Sequence, residues 1–477
     1  MKQMKKTYSL FPVVLGLVAS VALLFSSCDK MNDIQAEWAG KEEQVYLGKV
    51  DSLKFYPGFG RAKITWYIGA DPKVDRTIIY WNMRRDSLVK EFVRTGSGLQ
   101  RDSVILENLP EGSTLFEFRN ANSEGETSLY SNLTVTVWGQ DFASGLRARR
   151  IDAFSLNPDE SIFKLGLTPV TVGDSVAYAE VVYTNASGQV KTVRADRETN
   201  TLQLTNFPAG GEFNLRTVFF PPQGIDTVYN EFETFRAPTV VTATGSKSAL
   251  AGNLSSKYFE FNGGESLYEW TSDSKLIAYP LNGDGSVSVN GTQVAMVSLD
   301  TYRDLFYYNA DRFVAVTTGN ALQMVTLQTG APVVVQTPGG ADNFGSGFSM
   351  PLFMPSPSGV FFYSLTAAGV LQAWYARNDA SFNTPNNVSV GTGYDVYKNK
   401  LALFNATSLL AVDADGNLWS QPISVSGRLG SKSHIGSGWN RFEKIIGVGT
   451  TLLCMEANGD FYIFDNFNTT DNFWIVD

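Results

Sequence analysis

Cysteine is nearly absent from this 477-residue chain, which contains Cys28 and Cys454 and no other. Cys454 lies inside the apolar run Thr451 to Met455, which is typical of a small core residue rather than of a nucleophile. If Cys28 is modified, no disulfide can form within one chain. Stability must then come from burial and backbone pairing.

Histidine is also scarce, because His434 is the single one. One histidine excludes a multi-histidine metal site, and no serine or cysteine motif surrounds it, so we expect His434 in a surface loop. Two segments resemble fragments of calcium loops but lack the downstream glutamate, and they predict hairpin turns instead: 413–417 and 282–285. The sequence therefore predicts no metal and no cofactor.

Basic residues are outnumbered, with 38 Lys and Arg against 47 Asp and Glu, and they form no stripe. Phosphate binding needs clustered cations, so we expect no nucleic-acid partner. The 43% of hydrophobic residues and the 13% of aromatic residues are enough to bury several domains, which argues against disorder.

The N-terminal apolar run, Phe11 to Phe25, is too short to span a membrane and follows three lysines. It predicts a signal peptide over residues 1–27. The next segment, Leu24-Phe25-Ser26-Ser27-Cys28, resembles the lipobox of bacterial lipoproteins, which implies that the mature chain begins at an acylated Cys28. An ordinary secretory signal with an incidental cysteine is the alternative.

Residues 28–44 are polar and carry one aromatic residue, Trp38. We interpret this segment as a tether between the lipid and the first folded domain. Trp38 either docks on that domain or lies near the lipid headgroups.

Two stretches show short alternating strands separated by turn signals, which predicts two tandem β-sandwiches over residues 45–140 and 146–237. The segment Leu106 to Gly112 recurs as Leu204 to Gly210, at an offset of 98 residues. Together with Phe116-Glu117-Phe118, the first copy resembles the second half of a fibronectin type III domain. The corner tyrosine of that family is not evident, since Thr114 or Leu115 falls near its place.

The segment from Trp38 to Lys49 also resembles an uncharacterised N-terminal module of surface lipoproteins in Gram-negative gut anaerobes. That resemblance implies a location and no activity. After the second sandwich the composition changes to Thr, Ser, Ala and Gly, and residues 238–256 are predicted as a linker.

A repeat fills residues 257–477. The aromatic residues Tyr302, Phe348, Tyr394 and Trp439 are separated by 46, 46 and 45 residues, and three of them follow a Gly-x-Gly pair. Units of four short strands at this spacing are typical of propeller blades. The sequence thus predicts an all-β chain of two sandwiches and a five-bladed β-propeller, with four blades as the alternative.

The repeats Gly436 to Phe442 and Leu410 to Trp419 resemble those of the tachylectin-type five-bladed propeller. In that family the fold is a lectin for N-acetylated hexosamines, with a site associated with each blade. The resemblance implies a carbohydrate ligand for this chain.

Four residues are candidates for carbohydrate binding: Trp439, Asn440, Tyr394 and Asp395. A flat aromatic face packs on the apolar face of a pyranose, and a neighbouring amide or carboxylate fixes its hydroxyl groups. The alternative is that each ring wedges adjacent sheets together while Asn440 or Asp395 caps a turn.

These observations lead to the hypothesis of a surface-exposed outer-membrane lipoprotein, anchored through Cys28, whose propeller binds a glycan without catalysis. A protein-interaction scaffold or adhesin with an outer-membrane protein partner is the rival hypothesis, because fold alone does not decide function. Glycosidases need two converging carboxylates. The repeats show no acidic pair in equivalent positions, so we do not expect an enzyme.

Overall fold

The computed structural model describes residues 46–261, 265–282, 286–294, 300–309, 312–327, 332–336, 340–356, 361–375, 387–397 and 400–476. The predicted signal peptide, the tether and Cys28 lie outside these residues. The chain divides into two compact units, Met1–Gly145 with Pro222–Thr227, and Leu146–Pro221 with Val228–Asp477. Within the described residues both units are built almost wholly of β-strands.

The first unit is a sandwich of two antiparallel sheets. One has the order β1-β2-β5 and the other β4-β3-β6-β7. The strands are β1 (Asp51–Pro57), β2 (Ala62–Ile68), β3 (Arg76–Trp81), β4 (Asp86–Glu91), β5 (Gln100–Leu106), β6 (Gly112–Ala121) and β7 (Ser131–Val137), followed by the helix α1 (Gln140–Gly145). Alternate residues of β2 and β6 face inward, so that Trp66, Phe116 and Phe118 fill the core.

The second unit begins with another sandwich. Its sheets have the orders β12-β9-β8 and β11-β10-β13, and the second is extended by β14 and β15, which both pair with β13. The strands are β8 (Ile151–Asn157), β9 (Ile162–Leu167), β10 (Val176–Thr184), β11 (Val190–Asp196), β12 (Thr201–Thr205), β13 (Glu212–Phe219), β14 (Val228–Tyr229) and β15 (Glu233–Arg236). Phe163, Phe207 and Phe213 form the centre of its core.

The stretch 238–256 is not a free linker, contrary to the prediction from composition. It contains β16 (Thr239–Thr242) and β17 (Ser246–Ala251), which pair with strands near the C-terminus. Its Thr, Ser and Ala side chains bury little surface, but the backbone supplies the hydrogen bonds that hold these strands.

The remaining strands of the described chain form five antiparallel sheets, which we number as repeat sheets one to five. Sheet one contains β18 (Lys257–Phe261), β19 (Ser266–Trp270), β20 (Leu276–Pro280) and β21 (Thr292–Gln293). Sheet two contains β22 (Tyr302–Asn309), β23 (Arg312–Thr317), β24 (Leu322–Leu327), β25 (Pro332–Val335) and β26 (Asn343–Gly345), the last two both pairing with β24. Sheet three contains β27 (Leu352–Pro355), β28 (Phe361–Leu365), β29 (Leu371–Tyr375) and β30 (Asn387–Gly391).

Sheet four contains β31 (Leu401–Phe404), β32 (Ser408–Val412), β33 (Leu418–Pro422) and β34 (Ser433–Ser437). Sheet five contains β35 (Phe442–Val448), β36 (Thr451–Glu456) and β37 (Asp460–Phe464), and β17 is its fourth strand. The second strands β28 and β32 are buried on both faces along their whole length, which explains why each is apolar apart from one serine.

The first strands of the repeat sheets lie beside one another in a cyclic order. β18 contacts β22, β22 contacts β27, β27 contacts β31, β31 contacts β35, and β35 contacts β18. β17 pairs with β37 of sheet five, whereas the last strand, β38 (Asn472–Ile475), pairs with β34 and β16.

The second sandwich and repeat sheet four share one continuous sheet. β34 pairs in parallel with β8 through His434 and Ser155, and β38 pairs in parallel with both β34 and β16. Phe473 of β38 is fully buried in the core of the sandwich. The boundary predicted between residues 237 and 257 therefore does not separate two independent bodies.

Candidate functional site

The Gly-x-Gly-aromatic motif occurs at three equivalent places in the repeat. The aromatic backbone N–H donates to a carbonyl in the preceding hairpin turn: Phe348 to Asn320 at 2.9 Å, Tyr394 to Gly369 at 3.0 Å and Trp439 to Gly416 at 3.0 Å. This bond ties each repeat sheet to the segment that enters the next one.

The two glycines of the motif serve different purposes. A Cβ on the first glycine would lie 2.5 Å from the ring of Tyr394 at Gly391, and 2.7 Å from that of Trp439 at Gly436, so the ring occupies the place of the missing side chain. The second glycine adopts left-handed backbone, with φ of 83° at Gly438. The motif is thus explained by packing and backbone geometry.

The ring of Trp439 is fully buried, with no exposed area. Its Nε1 donates to the carbonyl of Trp474 at 3.0 Å, and its ring lies 5.1 Å from that of Phe464. No face of this ring is open to a ligand. The predicted stacking of Trp439 on a sugar does not fit this geometry, whereas the alternative role as a wedge between sheets does.

Tyr394 is similarly enclosed, with 5% of its surface exposed, and its hydroxyl bonds to Gln421 at 2.5 Å. Asp395 and Asn440 are exposed next to the buried rings. Their side chains lie against the hairpin-turn glycines Gly369 and Gly416. The structure therefore keeps these two polar candidates at the surface, while the rings of Tyr394 and Trp439 beside them are buried.

The repeat sheets enclose a cavity of about 530 Å³, lined by residues of all five first strands. Its apolar wall includes Phe259, Phe353 and Ile445. Its polar groups are concentrated at one end, where the first strands begin. We take this cavity as the candidate site in the described part of the second unit.

Three basic side chains tie the beginnings of neighbouring first strands together. Lys257, the first residue of β18, forms an ion pair with Asp304 of β22. Lys444 of β35 donates to the carbonyl of Ser256, just before β18. Arg303 of β22 donates to the carbonyls of Phe348 and Met350, just before β27. These charged groups consequently share one end of the cavity, which we call the charged mouth and define as Lys257, Arg303, Asp304 and Lys444.

Aromatic side chains border the charged mouth. Trp270 pairs with Lys257 across β18 and β19, lines the cavity and is 8% exposed. Among the described residues, its buried Nε1 has no hydrogen-bond partner. Tyr302 and Tyr307 of β22 also line the cavity. An indole N–H left without an acceptor in a lined cavity is a group that a ligand oxygen can satisfy.

The opposite end of the cavity carries one carboxylate. Glu260 of β18 accepts from the backbone N–H of Gly449 at 2.8 Å, and burial raises its pKa. Burial has the opposite effect on the amine at the charged mouth, because it lowers the pKa of Lys444. Both groups lie in surroundings that disfavour their charged forms.

Apart from Tyr302, the sequence did not single out the residues of the cavity. Their signal was a charge placed inside an otherwise apolar strand, as in Lys257 before Tyr-Phe, Arg303-Asp304 before Leu-Phe, and Lys444 before Ile-Ile. Such charges are costly unless they are paired or exposed to a cavity. The regular aromatic spacing points instead to the junctions between repeat sheets.

Other polar clusters have structural partners. Asp413 accepts from the backbone of Asp415 and Asn417 and from Trp419 Nε1 at 2.8 Å, as expected of a hairpin turn. His434 does not lie in a surface loop, contrary to the prediction, but within β34 and half-buried. The part of the chain that the structure describes contains no group of metal-ligating side chains and no helix long and apolar enough to cross a membrane.

Residues 28–228 match a family described as a domain of unknown function, DUF4998. No curated protein matches the sequence. Solved structures with similarity include a two-domain fibronectin type III segment of chicken tenascin, with 16% identity over 40% of this chain and 100% of that chain at a TM-score of 0.18. The FN1–FN3 domains of chicken CNTN1 have 13% identity over 41% and 69%, at a TM-score of 0.20. The chicken interferon gamma receptor alpha chain has 10% identity over 40% and 99%, at a TM-score of 0.19.

The N-terminal region is fibronectin type III-like. Its three-stranded sheet, β1-β2-β5, faces a four-stranded sheet, β4-β3-β6-β7, in which non-consecutive strands pair as in a Greek key. The turn residues Asn108 and Asn206, at the offset of 98 residues seen in the sequence, both adopt left-handed backbone with φ of 55° and 51°. The repeated segment therefore takes the same backbone turn in both sandwiches.

Proposed function

We propose that this chain is a non-catalytic carbohydrate-binding protein of the cell surface, anchored through Cys28, and that its five repeat sheets form a tachylectin-like β-propeller. The observation that carries the proposal is the cavity inside those sheets, with aromatic residues and hydrogen-bond donors at one end. The proposed site is therefore this central cavity and not the junctions between repeat sheets, where the rings of Tyr394 and Trp439 are buried.

The propeller assignment is supported by the order of the strands. Each repeat sheet is antiparallel, its first three strands are adjacent in chain order, and the first strands of the five sheets follow one another cyclically. β17, which precedes the other repeat strands in the chain, completes sheet five by pairing with β37. Such an arrangement leaves only short, protected sheet edges.

Carbohydrate is the ligand class that suits this lining best. Ligand pockets of about 300 to 1,000 Å³ are typical of small molecules, and this cavity of about 530 Å³ falls within that range. Trp270, Tyr302 and Tyr307 supply amphipathic surfaces, and the charged mouth supplies donors for hydroxyl or acetamide oxygens. Purely apolar ligands would leave these polar groups unpaired.

Binding without catalysis is supported by the positions of the acids. The two acids that line the cavity are Glu260 and Asp304. Asp304 pairs with Lys257, and Lys257 lies three residues, or about 10 Å along the strand, from Glu260. Glycosidase carboxylates are about 5 to 9.5 Å apart and flank one bond. Asp304 is also held in an ion pair with the ammonium group of Lys257, which suits a structural role.

The proposal is tested with the folded chain from residue 28 to 477 on a glycan array, followed by isothermal titration of the positive saccharides. Trp270→Phe removes the unpartnered N–H and keeps most of the ring, so we expect at least a tenfold weaker affinity, or about 1.4 kcal/mol. Trp439→Phe is the matched control, because its indole is buried at a sheet junction. The control should lower the unfolding temperature and leave the affinity unchanged.

Two results would contradict the proposal. One is the absence of saccharide binding by the folded protein at millimolar concentration. The other is an equal loss of affinity in both tryptophan variants, which would place the ligand outside the cavity.

A further inference from the structure

The charged mouth contains more positive than negative groups. Lys257, Arg303 and Lys444 face a single lining acid, Asp304, which is already paired with Lys257. The second lining acid, Glu260, lies at the opposite end and accepts from Gly449. Two cations at the mouth therefore have no carboxylate partner among the lining residues that the structure describes.

The remaining acid nearby is turned away from the cavity. Glu269 is 7% exposed, and its carboxylate accepts from the hydroxyl groups of Tyr258 at 2.9 Å and Tyr279 at 2.8 Å. Its field reaches Lys444, but it does not line the cavity. Glu269 thus lowers the cost of burying the ammonium without occupying its donors.

Several hydrogen-bond donors at the charged mouth have N–H groups without an acceptor in the described structure. Within the described chain, neither Arg303 Nε nor Trp270 Nε1 has a hydrogen-bond partner. The ammonium of Lys444 has three N–H groups, of which the carbonyl of Ser256 takes one. A buried donor without an acceptor is costly, and an anionic oxygen forms stronger bonds with such donors than a hydroxyl group does.

We infer that the cavity selects saccharides that carry a negative charge, a carboxylate or a sulfate ester, and that Lys444 with Arg303 binds that group at the charged mouth. The inference rests on the proposed carbohydrate function and names its ligand class. The anionic group lies towards the beginning of the first strands, and the neutral part of the sugar packs along Phe259 and Phe353.

The test compares three ligands built on one scaffold: N-acetyllactosamine, its 6-sulfated form and its sialylated form. Isothermal titration of the full chain should show at least a tenfold preference for one or both anionic forms at low ionic strength. The arm that binds more tightly identifies sulfate or carboxylate as the preferred group. Added salt should reduce the preference, because it screens charge–charge attraction.

Lys444→Gln keeps a donor and removes the charge. We expect it to reduce the affinity for the anionic form at least fivefold and to leave that for the neutral form within twofold. Lys432→Gln is the control, since Lys432 is half-buried just before β34 and does not line the cavity. Thermal unfolding of both variants verifies that they are folded.

The possible failures are distinguishable. Equal affinity for neutral and anionic ligands overturns the charge selection and leaves the carbohydrate function standing. An equal effect of both lysine variants also overturns it, since a general charge effect would then suffice. The absence of binding by any saccharide overturns the carbohydrate function itself.

Discussion

Single glycines determine how closely the repeat sheets approach their neighbours. A Cβ on Gly438 would lie 2.0 Å from the carbonyl oxygen of Val476, in addition to requiring left-handed backbone. Gly347 holds the equivalent position before Phe348 with φ of 78°, yet a Cβ there would meet no atom within 4 Å. Gly347 is thus required only for its left-handed backbone, whereas Gly438 is required both for its backbone and for lack of space.

This difference predicts unequal costs for the same substitution. Gly347→Ala should cost about 1 to 2 kcal/mol of unfolding free energy, the price of left-handed backbone for alanine. Gly438→Ala should cost clearly more, because the backbone carbonyl of Val476 must also move. Urea unfolding of the two variants measures both values, and equal costs would contradict the role given to Val476.

At this scale the sequence left two roles open for these rings, stacking on a sugar or packing between adjacent sheets. The structure buries Tyr394 and Trp439 where one repeat sheet meets the segment that enters the next. Whether a ring at such a junction faces solvent depends on Gly391 and Gly436 and on segments distant in sequence, such as Trp474. Aromatic identity and spacing alone do not contain that information.

Strand β34 is the element that joins the second sandwich to repeat sheet four, and His434 lies at the junction. Its ring is 4.9 Å from that of Trp419 and 5.0 Å from that of Phe473, and its Nδ1 lies 3.3 Å from Ser155 Oγ. In the described structure its buried Nε2 has no partner. Burial lowers the pKa of His434 below its ordinary value of 6.5.

The lowered pKa predicts that acid weakens the second unit. Between pH 6.5 and the lower folded pKa, the unfolded chain binds the proton more readily than the folded chain, so stability falls as the pH decreases. One such group contributes at most about 1.4 kcal/mol per pH unit. Denaturant unfolding at pH 7.5, 6.5 and 5.5 should show this loss in the natural protein.

His434→Gln supplies the control, because it removes the one histidine and leaves the carboxylates unchanged. The stability difference between the two proteins should shift in favour of the variant as the pH decreases. A difference independent of pH would show that His434 does not couple protonation to unfolding.

Elements with strong alternation or unbroken apolar sequence were predictable, whereas β16 and β17 were not. Their sequence is rich in Thr, Ser and Ala and has little to distinguish it from a linker. They become strands because β38 and β37 present unpaired edges to them. Pairing partners that lie more than 200 residues away leave no local signal.

At the scale of the whole second unit, the sandwich and the repeat sheets share both hydrogen bonds and core. Phe154 of β8 packs against the core of the sandwich and against that of repeat sheets four and five, and Phe473 enters the sandwich core from the C-terminal strand. We therefore expect these two parts to unfold together, as one cooperative body.

Two leucine substitutions test that expectation. Leu204 in the sandwich and Leu410 in sheet four are both fully buried, and their replacement by alanine should each cost about 2 to 5 kcal/mol. Calorimetry should show both variants shifting the same transition. Two transitions, each moved by only one variant, would show that the sandwich and the repeat unfold independently.

The pairing of β17 with β37, which completes repeat sheet five, also bears on how fast the second unit folds. Lys247 of β17 pairs with Asp460 of β37, 213 residues later in the chain. Bringing such distant segments together has a loop-closure free-energy cost of about 5 kcal/mol, which must be met before their contacts can form. Topologies dominated by distant pairings fold slowly. We therefore expect the second unit to fold slowly, and the edge of β37 to stay unpaired until β17 binds to it.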